Sequence, residues 1–205
     1  MSILTSEVLV AFLTGVAGPI LVLVTRYILA QLKKRRDPIK ESTQAGTIVL
    51  TKMEEMQHLF GVDRVWITQF HNGGHFYPTG KSIQKFSMIY ELVSQYADSI
   101  RHNFQNIPIN LFSRSINHLL EEDVLFIPDY KDESISTYGL KYVAEETSTK
   151  SSYLFALKTI QGRMIGVLAL EFVKDAKTLT EEELTELQIH AGQIGVLLET
   201  YLYKK

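Results

Sequence analysis

The chain has 205 residues, 45% of them hydrophobic, no cysteine and a formal net charge of -2. That is enough apolar material for one ordinary domain plus an appendage, and the missing cysteines exclude disulfides, thiolate metal sites, thioether-linked chromophores and cysteine catalysis. Residues 1–36 hold five basic groups against Glu7, which leaves 16 basic and 22 acidic residues, net -6, in the remainder; an acidic body lacks the positive footprint that phosphate backbones require, so no nucleic-acid partner is expected.

Val8 to Thr25 is 18 residues without a charge, and the apolar character continues through Leu32 with Arg26 as its one charged interruption. At about 1.5 Å per residue, residues 8–32 are long enough to cross a bilayer. A cleaved signal peptide is the competing reading, but Met1 to Glu7 has no basic residue and no small-x-small cleavage site follows the run. Lys33-Lys34-Arg35-Arg36 comes directly after it. The positive-inside rule then predicts a single-pass protein of the inner (cytoplasmic) membrane, its N-terminus outside and its body in the cytoplasm. Residues 1–36 are thus the expected anchor and basic stop cluster, with a kink or packing spot at Gly18-Pro19.

Asp37-Pro38 breaks the first helix, and Ala45, Val49, Met53, Met56 and Phe60 recur at helical spacing, so residues 37–60 are expected to form a connecting amphipathic helix. Val62 to Phe70 reads as a strand. His71-Asn72-Gly73-Gly74-His75-Phe76-Tyr77-Pro78-Thr79-Gly80 is turn chemistry among imidazole and aromatic groups. Ile83 to Val93 is a second strand with Phe86, Met88 and Tyr90 expected on one face and Lys85, Ser87 and Glu91 on the other. Val93, Tyr96, Ala97, Ile100 and Phe104 suggest a helical face, Ile107-Pro108-Ile109 an extended piece, and Leu111 to Leu120 a short helix closed by Glu121-Glu122-Asp123. A short strand, Val124 to Ile127, ends at Pro128-Asp129 before a polar segment to Thr149, with a short helix expected around Tyr142 to Glu146.

The most legible stretch is Ser151 to Tyr203. Tyr153 to Ile160 and Met164 to Phe172 are β-branched and aromatic runs around Gln161-Gly162-Arg163, a hairpin whose turn needs the positive φ that Gly162 supplies. In the second run Ile165, Val167 and Ala169 are expected on one face and Met164, Leu168 and Leu170 on the other; both faces are apolar, which predicts a central strand, and Gly166 leaves room for something close. Thr180 and Glu183 form a capping box, with Leu179 against Leu184 as the hydrophobic staple. The helix they start carries Leu184, Leu187, Ala191, Ile194, Leu198 and Tyr201 along one stripe.

Taken together, Leu125-Phe126-Ile127-Pro128-Asp129, Ser151 to Leu157, Arg163 to Leu170, Leu179-Thr180 and Ala191-Gly192-Gln193-Ile194 resemble the GAF domain, a relative of the PAS fold that senses small molecules. The resemblance runs from about Thr43 to Tyr203 and implies an α+β fold, a central antiparallel sheet flanked by helices, here preceded by one transmembrane helix, with the GAF-like domain over residues 61–205. It also implies that the first and last helices of the domain lie on the same side of the sheet. Members that attach a bilin through cysteine, and the free methionine sulfoxide reductases of this fold, need cysteines that are missing here. The Asn-Lys, Phe and Asp-Glu signature of cyclic-nucleotide binders has no counterpart. Too few residues follow Tyr203 for an output module, so signalling to a separate partner is expected.

For a small-molecule ligand of unspecified identity the candidate contacts are His71, Asn72, Phe86, Tyr90, Asp129 and Tyr138. Each has a plainer role available: Asn72 and Asp129 in turns, Phe86 in the core. His71 and His75, with no third ligand beside them, do not make a metal site. No nucleophile, base and orienting group can be assembled, so an enzyme is not expected. The alternative to a sensor is a ligand-free docking or dimerisation protein at the membrane. Ile189 and Val196, apolar residues off the last helix's stripe, make a homodimer the associated expectation.

Overall fold

The computed structural model describes residues 8–34, 37–73, 83–132 and 139–203, and the chain divides into two compact units, Met1–Thr43 and Gln44–Lys205. In the first unit, Val8–Gln31 is a helix long and apolar enough to cross a membrane, and its large apolar side chains from Val8 to Leu29 are exposed. Leu13–Ala17 is a π-helical turn that passes into α1, Gly18–Lys34. The cause sits one residue on: Pro19 offers no N–H and its ring would crowd the carbonyl four residues back. The widened turn relieves this, and the Gly18 N–H reaches back to the Leu13 carbonyl. Asp37 starts α2, Pro38–Phe60, by accepting the Ile39 and Lys40 N–H groups on Oδ1 at 2.9 and 3.2 Å. Pro38 occupies the first helical position, where a missing N–H costs nothing.

The second unit is built on a curled six-stranded sheet of β1 (Arg64–His71), β2 (Lys85–Val93), β3 (Ile107–Pro108), β4 (Val124–Ile127), β5 (Ser151–Lys158) and β6 (Met164–Phe172). The order is β3-β2-β1-β6-β5-β4 and every pairing is antiparallel. β1 and β6 are central, and every residue of both is buried. This matches the expectation drawn from β6's two apolar faces. One face of the sheet carries Val65, Ile67, Tyr153, Phe155, Leu168 and Leu170 against Val49, Met53 and Met56 of α2 and Leu187, Ala191, Ile194 and Leu198 of α5, Glu181–Tyr203. α2 and α5 therefore share a side, and Lys52 Nζ reaches Gln193 Oε1 at 2.5 Å between them. The opposite face carries Trp66, Phe70, Phe86, Leu154, Val167 and Ala169 beneath α3, Ser113–Glu122, and α4, Leu140–Glu146.

The hairpin and capping box form as expected. Gly162 has φ +78° and donates to the Thr159 carbonyl. Thr180 N donates to Glu183 Oε2 at 2.8 Å while Glu183 N donates to Thr180 Oγ1 at 3.2 Å. The Thr180 N–H and the Lys177 ammonium together hold the Glu183 carboxyl below its ordinary pKa.

Three expectations need correction. Residues 94–106 are turns and bends rather than a helix. Here side chains satisfy the backbone groups a helix would have paired: Glu91 accepts the Ile100 and Arg101 N–H groups at 2.8 and 3.2 Å, and Ser94 Oγ accepts the Tyr96 N–H at 3.1 Å. Next, the register between β1 and β2 shifts between Ile67 and Thr68, so that Tyr90 pairs with Ile67 while Met88 pairs with Thr68. The extra residue reverses the alternation. Phe86 and Met88 face α3 and α4, whereas Tyr90 lies with the α2 and α5 core. A second irregularity, between Leu157 and Lys158, leaves Ile165 with Leu168 and Leu170 and puts Met164 with Val167 and Ala169, an exchange of the sides expected for Ile165 and Met164.

At Gly166, β6 runs tightly against β1. A Cβ there would lie 2.0 Å from the Thr68 carbonyl oxygen, a backbone atom that cannot turn aside. Gly166→Ala is expected to destabilise the chain by at least about 1–3 kcal/mol, the usual cost of overpacking. Urea denaturation checks this, and an unchanged midpoint would show that the strands can separate without loss.

Candidate ligand-binding site

Between the sheet and the α3–α4 layer lies a cavity of about 40 Å³, room for roughly two or three waters. Strand alternation builds its floor: Trp66, Thr68 and Phe70 from β1, Phe86 from β2, Leu154 from β5, and Val167 and Glu171 from β6. Phe112, Ile116 and Leu119 enter from α3 and the turn before it, Leu140, Val143 and Ala144 from α4, and Ile100 and Phe104 from the turn-rich segment. Phe86 and Phe112 meet edge to face, centroids 5.5 Å apart. Phe104, Phe112, Ile116 and Val143 are only half-buried and form the mouth. Gly139 leads into α4 with φ +76°, and its missing Cβ lets it rest against the Leu111 carbonyl.

The cavity ends at a buried polar cluster. Arg64, 0% exposed, pairs with Glu171 Oε2 through Nη1. Its Nε donates to the Asp98 carbonyl at 3.1 Å and lies 4.0 Å from Glu91 Oε1. Glu171 Oε1 accepts Trp66 Nε1–H at 2.8 Å, and Oε2 also accepts the Thr149 hydroxyl at 3.2 Å. Glu171 is the one charged side chain on the wall among the described residues. The Tyr130 hydroxyl is 2.6 Å from Ser152 Oγ, and burial, reinforced by Glu171, pushes its pKa far above the ordinary phenol range. Tyr130 therefore stays neutral.

The candidate contacts read from the sequence are scattered. Phe86 is on the cavity wall. Tyr90 is on the other side of the sheet, beside Gly46 of α2. Asp129 is exposed and accepts the Lys131 N–H at 2.9 Å, an Asx turn. Tyr138 and His75 lie outside the described residues, and Asn72 is exposed at the end of β1. His71 is buried and ties β1 to β2: its Nδ1 accepts the Gly73 N–H at 3.0 Å, and Nε2 is 2.8 Å from Ser87 Oγ. With Nδ1 accepting, the proton is assigned to Nε2, which donates to Ser87. Burial, followed by the nearby Lys85 charge, lowers the His71 pKa and favours this neutral form. A ring that donates to the serine cannot take its proton, so the histidine and serine are arranged as a strap and not as base and nucleophile.

Sequence reasoning passed over Arg64, Trp66 and Glu171. The signal was there: a glutamate between Leu170 and Phe172, in a strand apolar on both faces, has to be buried, and a buried carboxylate needs a cationic partner.

The GAF domain family profile matches residues 45–198, and the chain belongs to the GAF domain family. Its fold is similar to that of a far-red cyanobacteriochrome photoreceptor, with a TM-score of 0.61 at 16% identity over 88% of this chain and 98% of that one. The PixJ GAF domain of Thermosynechococcus elongatus in its blue-light absorbing form gives 0.62 at 14% identity, covering 80% and 89%. The phycocyanobilin-bound GAF domain of a cyanobacterial phytochrome gives 0.57 at 20% identity, covering 86% and 92%. No curated protein sequence matches the chain.

Glu171→Leu would strand the Arg64 charge in the interior, and an expected loss of about 3–5 kcal/mol follows. Arg64→Met combined with Glu171→Leu should recover most of it, because an apolar pair of similar volume carries no desolvation cost. A urea-denaturation double-mutant cycle checks both, and additive losses would mean that the two side chains act independently.

Proposed function

We propose that the protein is a membrane-anchored sensory module that binds a small molecule between its sheet and the α3–α4 layer and signals to a partner through α2 and α5. The carrying observation is the two-sidedness of β1 and β6. Trp66, Thr68, Val167 and Glu171 line the cavity, while the intervening Val65, Ile67, Leu168 and Leu170 pack in the core shared with α2 and α5. A ligand that preferred one arrangement of the central strands would bias the helices on the far side. Membership of a family whose structural neighbours include photoreceptor domains supports a sensory role.

A bilin like the one in the phytochrome domain does not fit these residues. There is no cysteine to form a thioether, and about 40 Å³ among packed rings is far from the size of a tetrapyrrole. We read the protein as non-catalytic, in keeping with the polarity of the His71–Ser87 contact. Thermal-shift screening of the full chain against small metabolites should find compounds that raise the melting temperature, with the rise growing with concentration as linkage requires. The second reading, a ligand-free docking or dimerisation protein, is favoured by the exposed Ile48 and Leu59 of α2 and Ile189 and Val196 of α5. No shift with any compound, together with a dimer in light scattering, would replace the first reading with the second.

For the anchor we propose residues 8–32 in the inner membrane, the N-terminus outside and the GAF domain in the cytoplasm. The exposed apolar helix and Lys33-Lys34-Arg35-Arg36 after it support this. The full chain should stay with membranes in alkaline carbonate, and a C-terminal reporter should be active only in the cytoplasm. Release by carbonate, or a reporter found outside, rejects the topology.

A further inference from the structure

The walls of the cavity restrict what it can hold, and the restriction rests on the ligand-binding reading above. We infer that the cavity takes an uncharged, single-ring aromatic molecule with one hydrogen-bonding group directed at Thr68, and discriminates against carboxylate, phosphate and amine analogues of the same ring.

Charge is the first argument. Glu171 is the one charged group on the wall among the described residues, and both of its oxygens are occupied, by Trp66 on one side and by Arg64 and Thr149 on the other. A ligand ammonium would find no free carboxylate. A ligand carboxylate or phosphate fares no better: Arg64 Nη2 has no hydrogen-bond partner among the described residues, but this nearest cation lies between Glu171 and Glu91, two carboxylates to one guanidinium. Either ion would be buried without a counter-charge, which a site this apolar strongly disfavours. A neutral molecule meets no such barrier.

The second argument is shape. Trp66, Phe70, Phe86, Phe104 and Phe112 line a small space, with Phe86 and Phe112 edge to face, the setting in which a planar ring gains offset or edge-to-face contacts. The half-buried Phe104, Phe112 and Val143 at the mouth, under the two-turn α4, are the side chains that can turn aside to admit one ring. A fused polycycle would require the sheet itself to move.

Thr68 supplies the third. It is 2% exposed and on the wall, and its hydroxyl has no hydrogen-bond partner among the described residues. A hydroxyl can both donate and accept, so a ligand hydroxyl, carbonyl or ring nitrogen is matched equally well. Its neighbours on the wall are almost all apolar, which fixes the direction of that one group.

Trp66 is the chain's one tryptophan, so its emission reports on this cavity without interference from the membrane helix. The full chain in detergent is titrated with toluene, benzyl alcohol, phenylacetate and benzylamine at neutral pH. Benzyl alcohol should give a saturable change in Trp66 emission with an affinity at least about tenfold above those of both charged analogues, or about 1.4 kcal/mol. Thr68→Val should weaken benzyl alcohol several-fold and leave toluene unchanged, a difference that a general loss of folding would not produce. Equal binding of phenylacetate or benzylamine, or indifference of benzyl alcohol to Thr68→Val, overturns the inference while leaving a ligand pocket in place. Silence of all four probes overturns the ligand-binding reading itself.

Discussion

A fully buried guanidinium has to be answered by a carboxylate, and in this domain that requirement fixes the centre of the sheet. Arg64 and Glu171 are directly opposite each other on β1 and β6, so the ion pair and the strand register are one constraint. A slip by one residue would turn Arg64 toward the α2–α5 core and leave its charge among Met53, Ile67 and Leu170. The pair is tied in further by the Trp66 indole, the Thr149 hydroxyl and the Asp98 carbonyl. Each of these belongs to a different part of the chain: the central strand, the approach to β5, and the turns after β2. One buried charge thus gathers three segments that have little else in common.

The register that the pair fixes divides the labour between the two sides of the sheet. Facing α2 and α5 is a close-packed aliphatic and aromatic core; facing α3 and α4 are aromatic rings around residual space. The two irregularities keep this division while adjusting which side chains serve each face. At Ile67/Thr68 the shift sends Tyr90 to the helical core and brings Glu91 round to Arg64 and the backbone N–H groups of Ile100 and Arg101. Without it Glu91 would be stranded in the aliphatic core. Gly166 makes the close approach of the two central strands sterically possible, since the Thr68 carbonyl occupies the place a side chain would need.

The chain belongs to the GAF family, and its cavity has its own character. The charges at its end form one cluster, with Arg64 between Glu171 and Glu91, and the cavity itself is small. Affinity in such a site comes from ring contacts and from the few polar groups left unsatisfied. Fit, rather than ion pairing, would set selectivity.

By itself the sequence determined the local elements and the sidedness of the most regular ones. The hairpin around Gly162, the Thr180–Glu183 box, the stripe from Leu184 to Leu198, the apolar helix and the central placement of β6 all follow from periodicity and turn chemistry within a window of a few residues. Tertiary structure alone decided what depends on a partner far along the chain. Segment 94–106 has the apolar spacing of a helix and forms none, because Glu91 takes up its N–H groups from outside the segment. Tyr90 and Phe86, four apart, lie on opposite faces because a register shift against β1 intervenes, and alternation within one strand cannot register an extra residue in the pairing. The site was hidden for the same reason. Arg64 and Glu171 are 107 positions apart, and nothing local to either residue names the other.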